Sequence, residues 1–94
     1  MRTMTQDEIG RALDDVTKGS TVTLAYDSPR GERRFSIPVI GVKRDDDGNV
    51  VRVNLERGTA AWMFVQRAKL GGEPCWCFFQ PNPYPIYELM VDES

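Results

Sequence analysis

Cys75 and Cys77, one residue apart, are the only thiols of the chain. A pair of thiolates can hold a soft metal or exchange with a disulfide. A structural zinc site, however, takes four ligands, and the sequence offers no third cysteine and no histidine. Alternation along a strand would put both sulfurs on one face and Trp76 on the other. The spacing is too tight to staple distant parts of a secreted fold, so reduced, packed thiols are expected. Redox chemistry and a metal shared between subunits are the alternatives.

The absence of histidine removes the commonest general base and the commonest metal ligand. Serine and threonine nucleophiles are left without a base in any recognisable spacing. Asp45-Asp46-Asp47-Gly48-Asn49 places three carboxylates beside a glycine and superficially resembles a calcium loop. It lacks the alternating ligands and distal glutamate of an EF-hand, whereas Asp-Gly and Gly-Asn pairs are strong hairpin turns. The expectation is a non-enzymatic chain with no catalytic residues, no metal and no cofactor.

Two groups of residues point to binding instead. Arg30, Arg33 and Arg34 cluster at one turn, with Lys43 and Arg44 further on. Guanidinium groups grip carboxylates and phosphates in a bidentate manner, although Glu32 and nearby aspartates dilute this field. Trp62, Phe64, Trp76, Phe78, Phe79, Tyr84 and Tyr87 crowd the C-terminal half. These are more rings than one small inner face can easily bury, and exposed rings beside prolines mark partner surfaces. The candidate partner-binding set is therefore Trp62, Phe64, Trp76, Tyr84 and Tyr87 as anchors, rimmed by Arg30, Arg33 and Arg34.

The elements that must position these residues are legible in part. Thr5-Gln6-Asp7-Glu8 has capping-box spacing, and Ile9, Ala12, Leu13 and Val16 recur with helical period, which predicts a helix over about 5–17 closed by Gly19. From Thr21 the period is two, with Val22, Leu24 and Tyr26 on one face. Asp27 to Gly31 reads as a turn. Phe35, Ile37 and Val39 alternate in the returning strand, where Pro38 marks an edge, a bulge or a bend. After the aspartate turn, Val51, Val53 and Leu55 are predicted to face inward. Trp62 and Phe64 favour a strand over Ala60–Leu70, although Trp62, Val65, Gln66 and Lys69 also fit helical spacing. Gly71 to Pro74 is a turn, and Cys75 to Phe79 is an apolar run with both faces covered. Pro81, Pro83 and Pro85 predict a polyproline-like connector to a last strand at Ile86–Val91.

The fold class implied is α+β and mostly β. An N-terminal helix precedes a five- or six-stranded antiparallel sheet, strongly bent or closed into a small SH3/Sm-like barrel with the helix over one end. A helix followed by Val22-Thr23-Leu24-Ala25-Tyr26, the Gly31 turn and Phe35-Ser36-Ile37-Pro38 resembles the opening of WYL domains, which are Sm-like barrels of bacterial regulators. The resemblance covers about the first 40 residues. The Trp-Tyr-Leu signature is missing downstream, so no ligand or site residue is carried over.

Ninety-four residues suit a single domain, 1–94. The hydrophobic share of 40% and charged share of 28% fit a chain that folds in water. No apolar run approaches the ~20 residues of a membrane span, and the first residues lead into a charged segment, so no membrane association and a cytoplasmic location are expected. Arginine outnumbers lysine nine to three, a skew typical of GC-rich genomes such as actinobacterial or phage ones. A formal charge of −2 supplies no general attraction to nucleic acid. The expected role is thus a regulatory or adaptor module binding a protein. The alternative is a nucleic-acid-binding barrel using exposed rings with Arg30, Arg33, Arg34 and Arg52. Self-association into a homodimer through the Cys75–Phe79 run is compatible with either.

Overall fold

The computed structural model describes residues 3–56, 63–80 and 82–92. Its elements are α1 (Gln6–Leu13), β1 (Thr21–Ser28), β2 (Gly31–Arg44), β3 (Val50–Leu55), β4 (Met63–Leu70), β5 (Glu73–Phe79) and β6 (Pro83–Asp92). The strands form a closed antiparallel barrel in sequence order, β6 returning to pair with β1. The predicted class of helix plus small barrel is what the chain adopts.

Helix α1 starts at the predicted capping box. Thr5 Oγ1 accepts from the Glu8 amide at 3.1 Å, and the Thr5 amide donates to Glu8 Oε1 at 3.0 Å. The helix ends at Leu13 rather than near residue 17. Asp14 and Asp15 would set two carboxylates against the negative end of the helix dipole. The carbonyls of Asp14 and Val16 are instead taken by the Arg44 guanidinium, at 2.8 and 3.1 Å. Gly19, with φ of 99°, turns the chain into β1 instead of capping the helix.

Strand β1 runs through Asp27 and Ser28, so only Pro29 and Arg30 form the turn, and Ser28 pairs directly with Gly31. Strand β2 is long because it serves two neighbours: Gly31–Pro38 pairs with β1 and Val39–Arg44 with β3. The handover at Pro38 is the predicted bend, with Ile40 as the extra residue between Val39 and Gly41. Similar slips add Val51 opposite the Lys43/Arg44 step and Tyr87 opposite the Ala25/Tyr26 step. Bulges of this kind supply the curvature that lets so few strands close. The slip at Val51 also changes a predicted core position: Val50 is buried with Val53 and Leu55, while Val51 is half-buried.

Two further expectations are corrected. Pro83 and Pro85 belong to β6, opposite Phe79 and Cys77, and not to a connector. Over those residues β6 pairs with β5 alone, since its ladder with β1 covers Ile86–Asp92. The missing amides therefore face no second ladder. The Cys75–Phe79 run is not a free edge for a symmetric partner: all of it pairs with β4, Cys77–Phe79 pairs with β6 on the other side, and the Trp76 amide is taken by Gln6. Residues 63–70 are strand, as the Phe64 alternation suggests.

Inward side chains fill the barrel: Val22, Leu24, Val53, Leu55, Val65, Phe78, Ile86 and Leu89 are essentially inaccessible. Ile9, Leu13 and Val16 close one end. Helix α1 comes close to Trp76 at Gly10, where an added Cβ would stand 3.4 Å from the indole nitrogen. No helix among the described residues is long and apolar enough to cross a membrane.

Candidate binding site at the open mouth of the barrel

An antiparallel barrel in sequence order puts its odd and even connections at opposite ends. The β2–β3 and β4–β5 turns share one end with α1. The β1–β2 and β5–β6 turns share the other, which α1 leaves uncovered, and there the rings of the core reach the surface.

At that mouth lies a cleft of about 360 Å³ lined by Tyr26, Ser28, Pro29, Arg30, Arg33, Phe35, Gln80 and Tyr84. Its floor is aromatic. The Tyr26 ring sits 5.1 Å from Tyr84, 5.3 Å from Phe78 and 6.0 Å from Phe35, all tilted contacts. Tyr26 and Phe78 are buried, whereas Phe35 and Tyr84 are half-exposed. The Tyr26 hydroxyl donates to Gln80 Oε1 at 3.4 Å, tying β1 to the β5–β6 turn. The turn carrying Arg30 is held from within: Ser28 Oγ donates to the Gly31 carbonyl at 2.9 Å and accepts from the Arg30 amide at 3.2 Å. Gly31 takes φ of 107°, which a side chain would resist.

Register decides which arginines belong to this site. Tyr26 pairs with Arg33 and Leu24 with Phe35, so Arg33 and Phe35 share the inward face and Arg33 emerges at the rim. Arg34 pairs with Ala25, which in turn pairs with Glu88, so Arg34 lies on the outer wall. There its guanidinium bonds Glu88 and lies 3.8 Å from Glu32. The Glu88 bond is the main reason its pKa rises above the ordinary value. Arg30 and Arg33 are exposed and form no ion pair among the described residues. Burial raises the Tyr26 pKa, while the positive charge of Arg33 pulls it the other way. Two exposed guanidinium groups without ion-pair partners among the described residues, set beside an aromatic floor, are chemically suited to an anionic group.

The other predicted anchors are dispersed. Trp76 is only 5% exposed and belongs to the core under α1, which corrects its assignment as a surface anchor. Tyr87 sits on the outer wall. Its hydroxyl is shut off from water, and its pKa is pushed up to about 12 by that desolvation and by Glu32 beside it. Phe64 also faces outward, stacked on Phe79 with centroids 4.6 Å apart and planes 10° apart. The Arg52 guanidinium covers Phe64 at 3.8 Å and donates to Asn54 Oδ1 at 2.9 Å. Trp62 lies outside the described residues. Sequence reading missed Tyr26, Phe35 and Gln80 as site residues. Extending the Phe35–Ile37–Val39 alternation back to Arg33 would have found the pairing of ring and guanidinium.

A larger cleft of about 780 Å³ lies beside α1, lined among others by Asp7, Arg11, Asp14, Asp45, Arg67 and Trp76. Its charges are mixed and several are already engaged. Asp45 Oδ1 accepts the amides of Asp47 and Asn49, both at 2.9 Å. These bonds hold the Asp45 carboxyl below its usual pKa and make the aspartate run a turn. No three His, Cys, Asp or Glu residues among those described come together as a metal site. Arg67 is directed at the Trp76 ring, 6.0 Å from its centroid. The mouth instead combines an aromatic floor with lining charges of one sign, Arg30 and Arg33.

Compared with protein-family models, with curated proteins and with solved structures, the chain finds no match in any of the three.

Proposed function

We propose that this barrel is a non-catalytic regulatory or adaptor module that binds a protein through its open mouth. The partner supplies an acidic side chain or chain-terminal carboxylate next to an apolar or aromatic residue. One observation carries the reading: Arg30 and Arg33, without ion-pair partners among the described residues, rim a cleft floored by Tyr26, Phe35 and Tyr84. Such a cleft accommodates a side chain or two, and a partner of net opposite charge is oriented by the rim while the rings supply the buried contact. We place the protein in the cytoplasm, in keeping with the free thiols of Cys75 and Cys77. A phage-borne or mobile-element origin fits its arginine-rich composition. A homodimer is a compatible state, and Ile40 and Met90, at 41% and 50% exposure, are the large apolar side chains offered to it.

The test is an array of peptides pairing acidic with aromatic residues. Binding that weakens with salt and is lost in Arg30→Glu/Arg33→Glu supports the reading. Binding indifferent to that double substitution and to Tyr84→Ala overturns it.

A second reading rests on a different surface. The Arg52–Phe64–Phe79 stack on the outer wall is a platform on which bases can stack. Titration of labelled single-stranded oligonucleotides at low salt decides it, and an unchanged signal with wild-type protein removes it.

A further inference from the structure

Cys75 Sγ and Cys77 Sγ lie 3.5 Å apart on one face of β5, a close contact between thiols that nothing in the binding mouth uses. Cys75 is half-buried and within reach of small solutes, while Cys77 is buried. Cys77 also leans its thiol toward the Cys75 carbonyl, at 3.7 Å. Between them, the Trp76 amide donates to Gln6 Oε1 at 2.5 Å, a bond from β5 to the first turn of α1.

The geometry points to Cys75 and Cys77 as an oxidation site for hydroperoxides, closing to an intrastrand disulfide that loosens α1 from β5. In the first step Cys75 sulfur attacks the peroxide O–O bond, giving Cys75 sulfenic acid and releasing water (or an alcohol). In the second, Cys77 sulfur displaces the sulfenic hydroxyl, its proton leaving with that oxygen as water. Overall two thiols are oxidised by two electrons and one peroxide is reduced. The roles follow from access: the half-exposed sulfur meets the oxidant and the enclosed one resolves it. Burial and the contact with Cys75 raise the Cys77 pKa to about 12, which keeps Cys77 a thiol and argues against its being the sulfur that meets the oxidant; its proton is lost only as the sulfenic oxygen leaves.

The structural consequence comes from strand geometry. At a rise of ~3.3 Å per residue, positions two apart stand at the upper limit of the Cα separation a disulfide spans. Closing the bond therefore shortens β5 at Trp76 and moves the residue whose amide holds Gln6 and whose ring seats Gly10. The helix end of the barrel opens, while the mouth at the far end of β5, held mainly by β1, β2 and β6 and their turns, stays formed.

The experiment uses the full chain with Trp62→Phe, which leaves Trp76 as the single indole. Reduced protein is treated with a small excess of hydrogen peroxide and followed by intact mass and indole emission. The expected result is a loss of two hydrogens, reversed by dithiothreitol, with emission moving to longer wavelength in step. Cys77→Ala should instead trap a sulfenic acid on Cys75 that reacts with dimedone. Cys75→Ser should resist peroxide under the same conditions. Accumulation of sulfinic acid in the chain retaining both thiols, a disulfide between two chains, or a disulfide that leaves indole emission unchanged would each overturn the proposal.

Discussion

Arg33 and Arg34 are neighbours in the chain but stand on opposite sides of the barrel wall. Arg33 pairs with Tyr26 and rims the mouth, whereas Arg34 bonds Glu88 outside. A basic cluster in sequence is therefore two different things in space: one charge exposed at the mouth and one committed to the fold.

Reversing each charge separates the two roles. Arg33→Glu is expected to weaken binding of an acidic peptide at the mouth by about tenfold or more, on the order of one hydrogen bond to a charged group. Arg34→Glu should leave that affinity within about twofold while lowering the unfolding midpoint, because it faces Glu88 with a like charge. Fluorescence anisotropy and thermal melts of the two variants check this. Equal losses of affinity would refute the division.

The cap and the closure of α1 are measurable as stability. Thr5→Ala removes the acceptor for the Glu8 amide and should cost about 1 kcal/mol. Arg44→Ala frees the carbonyls of Asp14, Val16 and Gly48 together and should cost about 1–2 kcal/mol, most of it from the part-buried Val16 carbonyl. Urea unfolding of each variant gives the numbers, and a neutral Arg44→Ala would show that the helix end is held by packing alone.

Core and wall rings should differ sharply. Phe78→Ala empties the centre of the barrel, where Phe78 is fully enclosed, and is expected to cost about 3–5 kcal/mol. Phe64→Ala, on the half-exposed outer stack with Phe79, should cost no more than about 1–2 kcal/mol. Denaturation midpoints with unchanged urea dependence would confirm both.

Alkaline pH should destabilise the fold through Tyr87. Its pKa is raised from 10.0 to about 12 in the folded protein, so the native state keeps a proton that the unfolded chain gives up. The stability it contributes is complete below pH 10 and is lost as pH rises through 12. Tyrosinate absorbance should show the delayed titration, and Tyr87→Phe should remove this part of the alkaline loss of stability.

The sequence by itself determined the local elements whose causes are local. The Thr5 capping box, the Asp45–Asn49 turn, the period-two runs of β1 and β2 and the bend at Pro38 each depend on residues within a few positions of one another. They appear where their chemistry requires, and together they define a helix followed by a small bent barrel. What only the tertiary structure decided depends on register and on long-range partners. The helix stops at Leu13, where Arg44, thirty residues from Asp14, supplies the Asp14 carbonyl with a partner from outside the helix. Val50 replaces Val51 in the core because of a bulge against β2. Trp76 is core because α1 lies over it, and the mouth exists because a two-residue turn aligns Tyr26 with Arg33. Side-chain alternation along a strand is readable from sequence. Which face becomes the inside, and where it breaks, is settled only when the strands pair and the barrel closes.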